Sequence, residues 1–337
     1  MPAVPSNPHD AYFRHVLSRP ADAAGEIRAA LPEDIATRLD WDRLELQPGS
    51  FVSPELRSRY TDILYRTRLD DHDAYIYILV EHQSRPDQFM ALRMMDYLVK
   101  VWNHHLDTHH KPSTLPAVIP LVVHSNGTGR VWNTPTELAD LIDLDPAARA
   151  ALDPYLPRLR FLLDDLAALD LRALRNRDLT PATRVMLILH KITPGNTRLG
   201  VDLLALTDDL QAILDGPRGE DEFHCVTRYL FLVGDMATID FDPLIDRLGP
   251  RAKEAIVTTA ERLRAEGRAE GRAEGWAEGR AEGRAEERAN TLVELLTLKF
   301  GPVSTGVVDT VRAADPAQVR VWIGRVLAAA SVEDVFA

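Results

Sequence analysis

The first third of the chain alternates between helical and strand-like hydrophobic patterns. Residues 9–31 carry apolar side chains at helical spacing. Residues 60–69 and 74–83 are rich in β-branched and aromatic side chains, and the polar cluster between them is typical of a turn. A helix is predicted at about residues 86–106, and a buried strand at 117–124. This order of elements predicts an α/β fold.

The predicted helix at 86–106 carries two stripes of side chains. The apolar stripe consists of Leu92, Met95, Val99, Trp102 and Leu106. The polar stripe consists of Arg93, Tyr97, Lys100 and His104. We therefore expect the apolar stripe to face the core and the polar stripe to remain accessible.

Beyond residue 135 the pattern changes to short helical segments separated by proline and glycine. Residues 136–263 are predicted to be almost wholly helical and contain no obvious catalytic cluster. Residues 264–288 repeat the unit Ala-Glu-Gly-Arg, and residues 289–337 predict a small helical unit. The chain therefore divides into a core at 1–135, a helical region, a repetitive helix or linker, and a C-terminal unit.

The repeat at 264–288 has an unusual consequence on a helix. Residues four apart advance by only about 40° around the axis, so each residue type forms a slowly winding stripe. Like charges then lie four residues apart, which is mildly destabilising, and each glycine costs roughly 1 kcal/mol. One interpretation is a solvated, partly frayed linker. The other is self-association, in which a second copy pairs with the charged stripes and packs on the small ones.

Composition and charge narrow the class of protein. The chain has 337 residues, 45% hydrophobic and 27% charged, as is typical of soluble globular proteins. Its single cysteine excludes an internal disulfide and fits a cytoplasmic location. No secretory signal or membrane helix is predicted. The formal net charge of −12 opposes non-specific nucleic-acid binding, although a local basic patch and a bound cation can offset it.

Two carboxylates are predicted to meet on the hairpin formed by the first two strands. A turn centred at residues 71–72 would place Asp62 directly opposite Glu81, on one face of the sheet. Two anions in these positions repel each other unless a cation such as Mg²⁺ lies between them. Gln83 falls on the same face, and the backbone carbonyl of His82 offers a further oxygen ligand. The alternative is that both carboxylates belong to the polar face of a half-exposed hairpin.

A set of motifs across residues 9–125 resembles a known family. The motifs are HDAYFRHVL (9–17), GSFVSPELRSRYTDILYR (49–66), YIYILVEHQS (75–84), the Arg93–Tyr97 pair in LRMMDYLVKVW, and IPLVVH (119–124). Together with the AEGR repeat and the helical tail, they resemble the recombination-promoting nucleases, or YhgA-like transposases, a branch of the PD-(D/E)XK nuclease superfamily. The resemblance implies an αβββαβ restriction-endonuclease-like core.

The resemblance also implies a site and an activity. Asp62, Glu81 and Gln83 become the active-site triplet, with Asp62, Glu81 and the His82 carbonyl on the metal. Mg²⁺, or Mn²⁺ in its place, is the implied cofactor. The implied reaction is endonucleolytic hydrolysis of DNA phosphodiesters, in recombination or in defence against mobile DNA.

Further positions are candidates for contact with the DNA backbone. Arg93, Tyr97 and Lys100 would reach a phosphate if their helix packs over the same end of the sheet. Arg14 stands where the family's first helix has a lysine, which preserves the charge. Asp10 is a weaker candidate for the same pocket.

One active-site position departs from the superfamily pattern. Gln83 stands where that pattern has a lysine, as is usual in this branch. Because a neutral amide only forms hydrogen bonds, more of the work falls on the metal, through water activation and charge neutralisation. We expect slow, strictly metal-dependent cleavage. The alternative function is a catalytically weak or inactive DNA-binding or assembly protein that retains the nuclease fold.

Overall fold

A computed structural model describes residues 7–48, 61–70, 72–82, 86–110, 112–235 and 241–337. For residues 61–62, 77–82, 274 and 278 it describes the backbone alone. The chain divides into two compact units, one ending at Ala260 and the other beginning at Glu261. Among the described residues, no helix is both long and apolar enough to cross a membrane.

A five-stranded sheet organises the first unit, and its strands lie side by side in chain order. The strands are β1 (Glu45–Leu46), β2 (Thr61–Leu69), β3 (His72–His82), β4 (Ala117–Ser125) and β5 (Leu162–Asp165). β2 is antiparallel to both β1 and β3, whereas β4 is parallel to β3 and β5 is parallel to β4. The predicted mixed α/β fold is confirmed.

The hairpin of β2 and β3 has a different register from the one predicted. Leu69 pairs with His72, so the turn begins at Asp70, whose φ of 52° is one that aspartate tolerates better than most residues. Asp62 therefore pairs with Leu79 rather than with Glu81. The shift is two residues, so strand alternation keeps positions 62 and 81 on the same face, as diagonal neighbours.

Helices cover both faces of the sheet in the first unit. They are α1 (Pro8–Leu17), α2 (Pro20–Ala30), α3 (Glu33–Ala36), α4 (Met90–Thr108), α5 (Pro146–Leu152), α6 (Leu171–Arg175), α7 (Pro181–Ile192), α8 (Leu199–Leu203), α9 (Thr207–Asp215), α10 (Gly219–Val233), α11 (Asp242–Leu248) and the start of α12 (Pro250–Phe300). Ile63, Tyr65 and Ile76 join the larger core, which includes α1, α2 and α7. Leu64 and Tyr75 point to the other face, into a smaller core built on α4.

The predicted stripes of α4 are wrong in part. Tyr97, assigned to the polar stripe, is only 1% exposed, whereas Leu92 and Val99 from the apolar stripe are 55% and 41% exposed. The buried face instead contains Met94, Leu98 and their neighbours. This helix carries apolar side chains on most of its circumference, so spacing alone does not select the buried face.

The segment at 136–263, predicted to be almost wholly helical, contributes a strand to the sheet. β5 comes from this segment, and α7 packs against both α1 and α2 in the larger core. Four consecutive residues are too few to show a strand period, which explains why the pattern did not predict β5. The sheet and these helices therefore share one hydrophobic core.

The second unit contains the remainder of α12 and three short helices. These are α13 (Thr305–Ala313), α14 (Pro316–Val326) and α15 (Val332–Phe336). Leu292 and Leu296 of α12 are fully buried against Val311, Trp322 and their neighbours. This small core contains no residue of the repeat at 264–288, which continues α12 as an exposed helix.

Alanine at the five repeat glycines should strengthen this helix. A Cβ at Gly267, Gly271, Gly275, Gly279 or Gly283 would meet nothing within 4 Å. Each replacement should therefore recover about 1 kcal/mol of helix propensity. We expect amide hydrogen exchange in residues 264–288 to slow at least tenfold in the fivefold variant. Unchanged exchange would contradict this.

The same variant tests the predicted homo-oligomer. If two copies associate through the small stripes, added methyl groups keep the helices apart, and the mass in solution should fall. If the repeat is a solvated linker, the mass should stay constant. The fivefold glycine-to-serine variant is the matched control, since it adds bulk without improving helix propensity as much as alanine does.

Candidate functional site

Four strand ends meet at one edge of the sheet in the first unit. Position 81 on β3 pairs with His124 on β4, which in turn pairs with Asp165 on β5. Asp62 lies at the start of β2, which runs antiparallel to β3 and therefore begins at this same edge. Alternation places all four positions on the face covered by α4. The carboxyl ends of parallel strands are a common location for ligand sites.

The predicted triplet itself is only partly visible. The backbone places positions 62 and 81 as described, but their side chains lie outside the described residues. Gln83 lies wholly outside them. The backbone of His82 ends β3 and pairs with Ser125. Among the side chains that the structure does describe, no three His, Cys, Asp or Glu residues gather closely enough to hold a metal ion.

His124 and Asp165 form a buried pair at this edge. The Nδ1 atom of His124 lies 2.8 Å from Oδ1 of Asp165. Asp165 also accepts hydrogen bonds from the backbone N–H groups of Trp132 and Ala167, which fixes its carboxylate. Because a carboxylate accepts hydrogen bonds, Nδ1 is the donor in this pair, and Nε2 is the ring nitrogen that remains for another partner.

The other ring nitrogen of His124 is left without a partner. The residue is fully buried, and Nε2 has no hydrogen-bond partner in the part of the chain that the structure describes. The indole of Trp132 packs edge-on against the imidazole, with the ring centroids 5.3 Å apart. An unsatisfied buried polar atom costs about 1–3 kcal/mol, so in native proteins it usually marks an ordered water or a ligand.

Sequence reasoning missed this pair, although a signal was present. His124 follows the apolar run of β4, as Glu81 follows that of β3. Asp165 ends β5 after a similar but shorter apolar run. Polar residues directly after buried strands need partners, and the parallel pairing brings these ones to the same edge.

The predicted phosphate contacts on α4 already have acidic partners. Arg93 lies 2.9 Å from Asp87 and is largely buried. Lys100 lies 2.6 Å from Asp96, one helical turn away, where the carboxylate is half exposed. Tyr97 is buried in the smaller core. A phosphate that binds Arg93 or Lys100 would have to replace or share these carboxylates.

The two candidates on α1 lie on the other side of the sheet. Tyr12, Phe13, Val16 and Leu17 anchor α1 in the larger core. Arg14 is exposed, and Asp10 is half-buried. The structure therefore does not bring Arg14 and Asp10 together with the α4 side chains.

A second buried charged cluster was also missed by sequence reasoning. Arg177 donates to both oxygens of Asp164, at 2.6 and 2.7 Å, and to Glu26 at 3.2 Å. Glu26 is fully buried, and burial together with the charge of Asp164 raises its pKa well above the usual value. Burial opposes ionisation of Asp164 as well, but the hydrogen bonds from Arg177 prevail and lower its pKa. This cluster ties α2 to β5 on the face opposite α4.

Comparison with known proteins identifies the family. The family model described as "Putative transposase, YhgA-like" matches residues 7–219. The chain belongs to this family. It is 31% identical to the recombination-promoting nuclease RpnD of Escherichia coli over 77% of its own length and 94% of that protein.

Two further relatives extend the comparison. The chain is 30% identical to the Escherichia coli recombination-promoting nuclease RpnA, over 78% of its length and 85% of the relative. It is 29% identical to the inactive recombination-promoting nuclease-like protein RpnE of Escherichia coli, over 78% of the chain and 83% of the relative. No solved structure matches the chain.

Proposed function

We propose that this chain is a metal-dependent DNA endonuclease with a PD-(D/E)XK-type core, acting in recombination or in defence against mobile DNA. The observation that carries the proposal is that positions 62 and 81 lie at the same end of the sheet and on the same face of it. Similarity to recombination-promoting nucleases over most of the chain supports it. The order of α1, β1 to β3, α4 and β4 supports an αβββαβ core, with α2 and α3 as additional helices between α1 and β1.

The residues at this edge suit a divalent cation. Carboxylate and carbonyl oxygens are the ligands that Mg²⁺ prefers, and Asp62, Glu81 and the His82 carbonyl would provide them. On the neighbouring strand, Nε2 of His124 has no hydrogen-bond partner among the described residues, so this nitrogen is available to a further ligand. A cation bound there, Mg²⁺ or Mn²⁺, would activate water and neutralise charge on the phosphate.

The protein's own groups then position the substrate. Gln83 would hold the attacking water by a hydrogen bond. Arg93 and Lys100 would exchange their carboxylate partners for the DNA phosphate. Arginine binds phosphate as it binds carboxylate, often through two parallel hydrogen bonds, so a DNA phosphate would compete with Asp87 for Arg93.

A second candidate function is DNA binding or assembly without cleavage. Two observations favour it: Gln83 stands where a lysine is typical, and one relative of similar identity is named as inactive. Such a protein would keep the fold and bind DNA but would not hydrolyse it.

A plasmid-nicking assay separates the two functions. The full-length protein should convert supercoiled DNA to nicked and linear forms with Mg²⁺ or Mn²⁺, and EDTA should stop the reaction. Binding is measured in parallel by gel shift in Ca²⁺. Retarded DNA without nicking in either metal would support the second function, and the absence of both would contradict both.

A further inference from the structure

The pair formed by His124 and Asp165 has the geometry of a metal ligand and its support. Histidines that bind metals usually donate their other ring N–H to a carboxylate, which fixes the ring orientation and strengthens the ligand. Here Nδ1 donates to Asp165 over 2.8 Å, and two backbone N–H groups hold the carboxylate. Trp132 packs against the imidazole and limits its rotation.

The second ring nitrogen of His124, Nε2, is part of a residue at the same end of the sheet as the proposed metal site. Nε2 of His124 is fully buried and has no hydrogen-bond partner among the described residues. Its residue pairs in register with Glu81 on the adjacent parallel strand, so both positions share one face. A structural histidine in a dry core would normally have both nitrogens satisfied or one facing solvent.

We propose that His124 is a nitrogen ligand of the divalent cation bound by Glu81, with Asp165 as its positioning residue. This inference rests on the proposed metal site and deepens it by naming a ligand and a metal class. Imidazole suits Mn²⁺ and later transition ions, whereas Mg²⁺ prefers oxygen ligands. The site should therefore favour Mn²⁺ over Mg²⁺.

The direct test is spectroscopic and uses the unmodified full-length chain. Mn²⁺ is added without DNA, and pulsed electron paramagnetic resonance detects magnetic coupling between Mn²⁺ and a directly bound ¹⁴N nucleus. We expect one tight Mn²⁺ site with imidazole ¹⁴N coupling. Bound Mn²⁺ without that coupling, or no binding at millimolar Mn²⁺, overturns the proposal.

Variants then identify which residue supplies the nitrogen. His124→Asn keeps a donor toward Asp165 but removes the Nε2 atom, so Mn²⁺ affinity should fall about 10–100-fold and the ¹⁴N coupling should vanish. Asp165→Asn should weaken Mn²⁺ binding by about 10–100-fold, the usual effect of losing such a supporting carboxylate. His105→Asn, at a buried histidine of α4 that lines a cavity with Leu69 and Ala117 at the opposite end of the sheet, is the matched control and should change neither quantity.

Failure of this proposal is distinguishable from failure of the nuclease proposal. DNA cleavage with Mg²⁺ but no ¹⁴N coupling would leave the nuclease assignment in place and remove His124 from the metal. Coupling to ¹⁴N without DNA cleavage would keep the metal ligand and contradict the nuclease. If His124→Asn does not fold, as judged by its thermal melt, Asp165→Asn tests the assignment, and an unchanged Mn²⁺ affinity in that variant overturns it.

Discussion

Replacing Glu81 with glutamine, or Asp62 with asparagine, should lower the rate of metal-dependent plasmid cleavage by about 100-fold or more. Both changes preserve side-chain size and remove one negative charge from the proposed metal site. Metal-ion catalysis typically contributes several kcal/mol, and each 1.4 kcal/mol corresponds to a factor of ten in rate. The initial rate of nicking is measured at saturating Mn²⁺ and again at saturating Mg²⁺.

The matched control for this pair is Glu45→Gln. Glu45 lies on β1 of the same sheet, is exposed, and pairs with Arg66 rather than with the proposed site. Its cleavage rate should stay within about twofold of the unmodified protein. DNA affinity in Ca²⁺ should be similar in all variants, which separates a loss of chemistry from a loss of binding. Cleavage at the unmodified rate by either Asp62→Asn or Glu81→Gln would show that the metal ligands are assigned incorrectly.

The sequence predicted strongly apolar elements better than their exact alignment. β3 and β4 are long runs of β-branched and aromatic side chains, so their positions followed directly from the pattern. The register of β2 against β3 depended on which residues of an aspartate-rich cluster form the turn. Asp70, Asp71 and Asp73 are chemically equivalent turn formers, so sequence alone could not separate two registers that bury the same face.

Long-range pairing was the main feature that the pattern could not provide. Glu26 and Asp164 are far apart in the sequence, and nothing local indicates that Arg177 joins them. The same is true of His124 and Asp165, which meet only because β5 lies parallel to β4. The family resemblance predicted the carboxylates of the proposed site. The buried residues on β4 and β5, His124 and Asp165, could be paired only from the structure.

The charged cluster of Glu26, Asp164 and Arg177 should be essential for the stability of the first unit. Its three side chains are almost entirely removed from water, and Arg177 is the cation that both carboxyl groups contact. Removing one member of a buried ion pair typically costs about 3–5 kcal/mol, because an uncompensated charge remains. Arg177→Met, which keeps much of the side-chain volume, should therefore lower the free energy of unfolding by about this amount at pH 7.

The pH dependence gives this prediction a distinctive signature. In the unmodified protein, Asp164 has a lowered pKa, so its contribution to stability is present above the pKa of the unfolded chain and is lost as the pH falls. Glu26 has a raised pKa, so its contribution is largest in acid and is lost as the pH rises. Without Arg177, burial should raise the pKa of Asp164 as well. Both carboxyl groups then contribute more to stability at low pH. The loss in free energy of unfolding caused by Arg177→Met should therefore be smaller at pH 4 than at pH 7.

Chemical denaturation at these two pH values tests the cluster against a matched surface pair. Arg158→Met removes an arginine from Asp153, where both side chains are more than half exposed, so it should change the free energy of unfolding by at most about 1 kcal/mol. Adding Glu26→Gln to Arg177→Met should recover part of the lost stability at pH 7, because one of the two buried acids can no longer ionise. A deficit in Arg177→Met that is no larger than in Arg158→Met, or that is equal at both pH values, would mean that water reaches the cluster. In that case Arg177 would not be required to compensate the charge of Glu26 and Asp164.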